Sequence, residues 1–510
     1  MVHSHLIGGL AGSCALAAVL LTAAALAAAA VPIGSRLELF VDDHLIERMT
    51  GGAQRRLHHP QPREIALVTD QPWEGNGVNY VTVFRDGGRY RMYYRGANEV
   101  YTKDSYTATH REVVCLAESP DGVHWKRPNL GLVEFNGSRE NNIVWDGLGA
   151  HNFTPFRDPN PAALPAAKYK ALGSGDGPGG RGLYAFQSAD GIRWALMSQQ
   201  PVITKGAFDS QNLAFWDATR GEYREYHRDF RDGRDIRTGT SPDFLHWKEP
   251  AFLAYRPNRM SELYTNQVIP YYRAPHLFLG FPTRYLDRGW TESAKVLPRP
   301  AYRRLRGSKS PREGTALTDG MLMSSRDGSQ FDVWPESFLR PGLRGADNWY
   351  YGDNYQNWGL VETRSSIEDA PDDISIYVTE RTMQDRAGVL RRHTLRIDGF
   401  VSAWAPLGGG ELVTKPLVFT GRHLILNGST SAAGGIRVEV QETNGQPVEG
   451  CALGDCDVFY GDSLERVVSW KGKRDVGRFA GKEVRLRVEL RDADLFSFRF
   501  GEPDVPTVLP

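Results

Sequence analysis

The sequence predicts an all-β chain, a five-bladed β-propeller followed by a C-terminal β-sandwich. Three observations carry that expectation. One turn pattern recurs, as SPDGVHW (119–125), SADGIRW (188–194), SPDFLHW (241–247) and, more loosely, SRDGSQF (325–331). Each copy closes a strand-like run, among them VVCLAE and GLYAFQ, whose alternation is that of a half-buried strand. Strand–turn–strand stretches precede the copies: YVTVFRDGGRYRMYYRG (80–96), LAFWDATRGEYREYHRD (213–229) and TNQVIPYYRAPHLFLGFP (265–282). The resulting units of antiparallel strands recur every ~55–90 residues, a spacing suited to propeller blades.

Residues 1–30 come first in the chain. LIGGLAGSCALAAVLLTAAALAAAA is apolar and ends in small residues near Ala30, as a cleaved signal peptide does. It is also long enough to span a bilayer, so an uncleaved anchor is the alternative. Cys14 precedes most of the apolar run, which argues against a lipid anchor. Residues 31–388 hold the proposed blades, with inner strands starting near Asn79, Asn152, Asn212, Asn266 and Asn357. In the repeated turns, Ser and Asp side chains can bond backbone donors and Gly supplies positive φ. No helix-period segment of good length interrupts the repeats. Two β-sandwiches in tandem would alternate similarly, but the repeated turn favours the propeller. From about residue 389 to 510 the turn disappears, and short strands such as GIRVEVQET and EVRLRVELRD suit a separate sandwich.

Bulk composition narrows the function classes. The 510 residues carry 61 Lys+Arg and 61 Asp+Glu, so no net charge draws the chain to nucleic acid or an anionic membrane. Beyond the leader, three cysteines remain: Cys115, Cys451 and Cys456. CALGDC (451–456) suits a small disulfide loop in an exported protein, and Cys115 reads as a buried small hydrophobe. No spacing resembles a zinc site, and no cofactor is expected.

Chemistry in a propeller gathers where inner strands converge on one mouth of the channel. The acids at strand starts are Asp70 and Glu74, Asp209, Glu262 and Asp353. Arg157-Asp158-Pro159 looks enzyme-like in isolation. Aligned with its sister hairpins, however, Asp158 shares a column with Asp86 and Asp217, each opening the turn after an inner strand. Asp209 precedes Asp217 by eight residues, about one strand length, and therefore falls at the opposite end, as does Glu262.

FDSQNLAFWD (208–217) and SELYTNQVIPYY (261–272) resemble the blade-three and blade-four segments of the five-bladed propeller glycoside hydrolases, families 32 and 43 and their relatives. The resemblance implies that Glu262 is the general acid and Asp209 the transition-state-stabilising or pKa-modulating carboxylate. The family 32 blade-one motif Asn-Asp-Pro-Asn is absent, which leaves Glu74, or less favourably Asp70, to supply the third acid. It also implies a carbohydrate partner. Trp73, Tyr264, Tyr350 and Tyr351 would stack on sugar faces, while His151, Asn152, Asn212 and Asn266 would bond hydroxyls. Two alternatives stand beside the hydrolase reading. A sialidase-like enzyme would need converging arginines and a Tyr/Glu nucleophile pair; a non-catalytic sugar-binding propeller would need neither.

Overall fold

A computed structural model describes residues 29–259 and 261–502, so the expected signal peptide lies almost wholly outside the described residues. The chain is all-β apart from short helices. Its central part forms five sheets of four or five strands, together with a three-stranded sheet of Glu262–Leu263, Thr283–Asp287 and Ala316–Gly320 and the hairpin Glu99–Tyr101/Tyr106–Ala108. The first three have four strands each and follow the chain without crossovers: Thr82–Asp86 through Ile143–Asp146, Thr154–Arg157 through Ala195–Leu196, and Leu213–Asp217 through Ala251–Phe252. The fourth pairs Ile269–Tyr271, Ala274–Gly280, Met323–Ser325 and Gln330–Val333, with Ala254–Arg256 added in parallel at its outer edge. In the fifth, Asp373–Glu380 and Val389–Arg396 are joined by Gln61–Val68 from far upstream.

Strand polarity explains this layering. The second strand of the first sheet, Arg89–Gly96, is buried at every position after Arg89, which means both its faces are covered by neighbouring sheets. The repeated turn is the same hydrogen-bonded device in all four copies. Ser119, Ser188, Ser241 and Ser325 each accept the backbone N–H three residues on at 2.9 Å through Oγ. The following Asp then accepts two further N–H groups through Oδ1. In three copies the closing Trp donates Nε1–H back to the turn. These turns are structural, as the sequence predicts.

The first and fifth sheets meet through the backbone. Val83 N–H donates to Trp358 O at 2.8 Å and Trp358 N–H to Val81 O at 2.9 Å. Gly359 permits the approach: it lies at φ +126°, and a Cβ there would stand 1.9 Å from Val83 O. Gly359→Ala is therefore expected to destabilise the fold by about 2–4 kcal/mol, read as a lower denaturation midpoint in urea. A midpoint equal to the parent's would refute this account of the closure.

Three sequence expectations need correction here. The boundary at 388/389 cuts through a sheet, because Val389–Arg396 pairs along its length with Asp373–Glu380. Nor do residues 31–57 belong with the repeats. Val31–Gly34, Glu38–Leu39, Ile46–Gly51 and Gln54–Leu57 all pair with C-terminal strands in a ten-stranded sheet built on two 19-residue strands, His423–Gln441 and Glu483–Gly501. One apolar core runs from that sheet into the fourth and fifth. At the junction Asp398 is buried and accepts from Tyr271 Oη (2.5 Å), Arg273 Nε (3.1 Å), Ser497 Oγ (2.8 Å) and Asn427 Nδ2 (3.1 Å). Cys451 and Cys456 are buried free thiols, so the expected disulfide loop is not formed; backbone bonds such as Cys451 N–H to Val448 O at 3.0 Å hold that turn instead.

An element not anticipated from the sequence, carried on the separate three-stranded sheet, is inserted between Ala274–Gly280 and Met323–Ser325 of the fourth sheet. Between Thr283–Asp287 and Ala316–Gly320 lie three short helices, Glu292–Lys295, Pro300–Gly307 and Pro311–Thr315. Thr291 caps the first, accepting Ala294 N–H at 3.2 Å, and prolines open the other two at positions where no N–H is needed.

Candidate functional site

A cavity of about 310 Å³ opens where the inner strands begin. Each sheet start brings one group. Tyr80 precedes Thr82–Asp86, His151 precedes Thr154–Arg157, Asp209 precedes Leu213–Asp217, and Tyr264 precedes Ile269–Tyr271; Tyr351 and Tyr355 complete the ring. The hairpin Glu99–Tyr101/Tyr106–Ala108 and the helical insertion supply the outer wall through Glu99, Lys309, Arg312 and Glu313.

Asp209 is the hub. Its side chain is 57% exposed, and it accepts from His151 Nε2 at 3.2 Å, Tyr80 Oη at 3.2 Å and Tyr264 Oη at 3.4 Å. Arg228 stands 3.7 Å away. Burial would raise its pKa, but the His151 hydrogen bond and the charges of Arg228, His151 and Arg95 outweigh burial and hold the carboxyl well below the usual range. Asp209 is thus ionised at neutral pH. Tyr80 reaches it from a left-handed backbone at φ 63°, a conformation that costs a non-glycine residue about 1–2 kcal/mol and that concentrates at functional sites.

His151 links two carboxylates. Nδ1 lies 2.9 Å from Glu112 Oε1 and 3.0 Å from Arg95 Nη1. It cannot donate to one and accept from the other at once. With a carboxylate at each ring nitrogen, the doubly protonated imidazolium is the matched form, and Arg95 then pairs with Glu112 at 3.3 Å. Burial and Arg95 push the imidazole pKa down, yet the bonds to Asp209 and Glu112 prevail and raise it above 6.5. The sign follows directly. The His151 contribution is complete below 6.5 and fades as pH rises through the raised value. The Asp209 contribution is complete above 3.8 and fades only in acid. Activity at this site is expected to fall on the alkaline side, above pH 6.5, and His151→Gln should remove that limb from the pH profile of kcat/KM. A limb that persists in the variant would show that another group titrates.

Of the residues singled out from sequence, Asp209, His151, Tyr264 and Tyr351 line this cavity, and the others do not. Glu74 is buried beneath, gripped by Arg127 Nε at 2.7 Å and Tyr94 Oη at 2.5 Å. Asp70 is exposed and serves Gln71. Glu262 is held from behind by Arg234, whose guanidinium is 2.7 Å away and packs on the Tyr264 and Tyr285 rings. The Glu262 carboxylate also accepts Arg234 N–H at 3.1 Å. Asn152 and Asn212 donate to Phe208 O and Ser210 O, and Asn266 donates to Gln211 O and Tyr226 O. These amide nitrogens tie strand starts together and are spent, although Asn212 Oδ1 is buried without a partner among the described residues. Trp73 donates to Asn142, and Tyr350 to Pro298 O. Asp353 is wholly buried, and burial lifts its pKa to about 8. Asp158, as its alignment column predicts, sits at the other end of its strand and accepts Asn160 N–H at 2.9 Å in the turn.

Glu99 differs from the other cavity acids. Glu313 is bound to Arg306 at 2.7 Å. By contrast, Glu99 has no cation bound to it at this distance: its side chain meets the Tyr106 hydroxyl, and Oε2 is buried with no close hydrogen-bond partner among the described residues. No metal-binding cluster of His, Cys, Asp and Glu occurs among the described residues.

No family model matches this sequence, and no curated protein does. Solved structures to which the chain is similar include sugar-active proteins. A β-1,2-mannobiose phosphorylase from Listeria innocua is 14% identical over 66% of this chain and 97% of that one, at a TM-score of 0.42. An N-acetylgalactosamine deacetylase from F. plautii is 13% identical over 68% and 96%, at 0.41. A glycoside hydrolase family 43 arabinoxylan arabinofuranohydrolase from Bacillus subtilis is 12% identical over 87% and 99%, at 0.39.

Proposed function

We propose that this chain is a glycoside hydrolase whose five sheets are the blades of a propeller and whose C-terminal sheet folds as a β-sandwich. The observation that carries the reading is Asp209: an ionised, accessible carboxylate at the convergence of the inner strands, ringed by tyrosines. Glycosidic cleavage needs one carboxylate acting on the anomeric carbon, directly or through water, and one proton donor for the leaving oxygen. Asp209 takes the first role. Glu99, which lines the cavity beside Tyr106 and keeps one oxygen without a close partner, takes the second, in place of Glu262. Tyr264, Tyr351 and Tyr355 wall the cavity from a buried cluster of rings that pack on one another and so give the sugar a rigid apolar edge, and His151 holds Asp209 in position and charged.

The sialidase-like alternative loses ground because Arg95 and Arg228 are almost fully buried on protein partners. Export follows from the leader, with removal near Ala30, which the intact mass of the mature protein checks. The function itself is tested by screening furanosides and pyranosides for released reducing sugar. Failure to cleave any of them, with the protein folded and monodisperse, would favour the non-catalytic sugar-binding alternative.

A further inference from the structure

A second cavity, larger at about 450 Å³, opens where the same inner strands end. Every sheet contributes to it. Phe84 and Arg85 come from the first, Phe156 to Pro159 from the second, Phe215 and Trp216 from the third, Ile269 and Pro270 from the fourth, and Trp358 and Gly359 from the fifth. It is not a continuation of the Asp209 site. Buried side chains close the channel between the two: Gln211 Nε2 donates to Val81 O (3.2 Å) and Thr82 Oγ1 (3.1 Å), and Gln267 Nε2 donates to Gln211 Oε1 (2.5 Å).

The floor of this cavity is aromatic, and its rim carries unspent positive charge. The one lining carboxylate, Asp158, is committed to Lys170, to Tyr223 Oη at 2.6 Å and to Asn160 N–H. Nearby Asp86 is engaged by Tyr169 Oη at 2.8 Å and Arg91 at 3.2 Å. That leaves Arg157 with only a distant contact, 3.8 Å, to the same Asp86. Arg85 donates Nε–H to its own turn carbonyl, Gly87 O, at 3.3 Å and lies over the Tyr90 ring at 5.9 Å, with no carboxylate among the described residues bound to it. Both arginines are exposed. A neutral sugar would want acceptors for its hydroxyl protons, and the only carboxylate here has none to spare. Planar apolar rings suit the floor, and a carboxylate or sulfonate suits a guanidinium fork.

We propose that this cavity is a second ligand site, specific for a small amphipathic anion with a flat apolar body and one acidic headgroup. The volume lies within the range of ordinary small-molecule sites, about 300–1,000 Å³. Arg85 and Arg157 bind the headgroup, while Phe84, Trp216 and Trp358 receive the body.

Isothermal titration of the full chain with 2-naphthoate and with neutral 2-naphthamide tests this. Naphthoate should bind at one equivalent and quench tryptophan fluorescence. In the double variant Arg85→Gln/Arg157→Gln, naphthoate should weaken about tenfold or more, as expected for loss of charge-assisted bonds, with naphthamide unchanged. Trp216→Ala should weaken both ligands. Sugars cleaved at the Asp209 site should not compete. The proposal is overturned if naphthoate fails to bind, if the double variant binds it as the parent does, or if a neutral oligosaccharide displaces it. Because the arginines are exposed, the double variant should melt as the parent does; a lowered melting temperature would shift the test to Trp216→Phe, which should retain binding.

Discussion

Asp209→Asn is expected to lower kcat/KM on any cleaved glycoside by at least about 10³-fold, the scale of losing both a charge aimed at the transition state and its role toward the anomeric carbon. Asparagine is isosteric and can still accept from Tyr80 and Tyr264, so the tyrosine ring should persist. What disappears is the negative charge. An oxocarbenium-like transition state then loses the group that faces it, and His151 loses one of the two carboxylates that raise its pKa. The imidazole should titrate lower, which proton NMR of the ring would register. At neutral pH the variant also forfeits the carboxylate's attraction to His151 and Arg228, so the melting temperature should fall modestly. A variant with parental turnover would remove Asp209 from the chemistry.

Glu99→Gln should cost about 10²–10⁴-fold in kcat, with a signature that separates it from Asp209. Glutamine cannot protonate a leaving oxygen. Alkyl glycosides and natural oligosaccharides need that proton, whereas a nitrophenolate departs without it. The loss should therefore be large on oligosaccharides and small on nitrophenyl glycosides. Equal losses on both would assign Glu99 to binding or positioning. By contrast, Glu262→Gln should leave turnover close to parental, because Arg234 holds that carboxylate outside the cavity.

The strand pattern was readable in the sequence because it is local. Alternation marks strands, and the Ser-x-Asp-Gly-x-x-Trp turn satisfies its own backbone within seven residues, so its chemistry shows in a short window. Aligning hairpins by that logic placed Asp158 at one end and Asp209 at the other. The limits arose where partners are distant. Gln61–Val68 completes a sheet with Val389–Arg396, and 31–57 pairs with strands beyond 400, contacts for which no local spacing exists. Glu74 and Glu262 look like Asp209 in sequence, yet Arg127 and Arg234 neutralise them from other segments. Asn152, Asn212 and Asn266 occupy the right positions but are buried and spend their amide nitrogens on neighbouring backbone. Two missed groups had local signals. Tyr80 directly precedes the first inner strand, as Asp209 nearly does the third. In the insertion, Thr291 and the prolines at 300 and 311 are ordinary helix-start signals, and that segment brings Lys309, Arg312 and Glu313 to the cavity.

Cleavage of sugar at the Asp209 mouth is best checked by a crystal structure of Asp209→Asn with an uncleaved glycoside bound. A sugar ring is expected beside Tyr264 and Tyr351, its anomeric carbon facing position 209 and its leaving oxygen toward Glu99. A ring bound beside Glu262, or in the aromatic cavity at the far end of the strands, would contradict it.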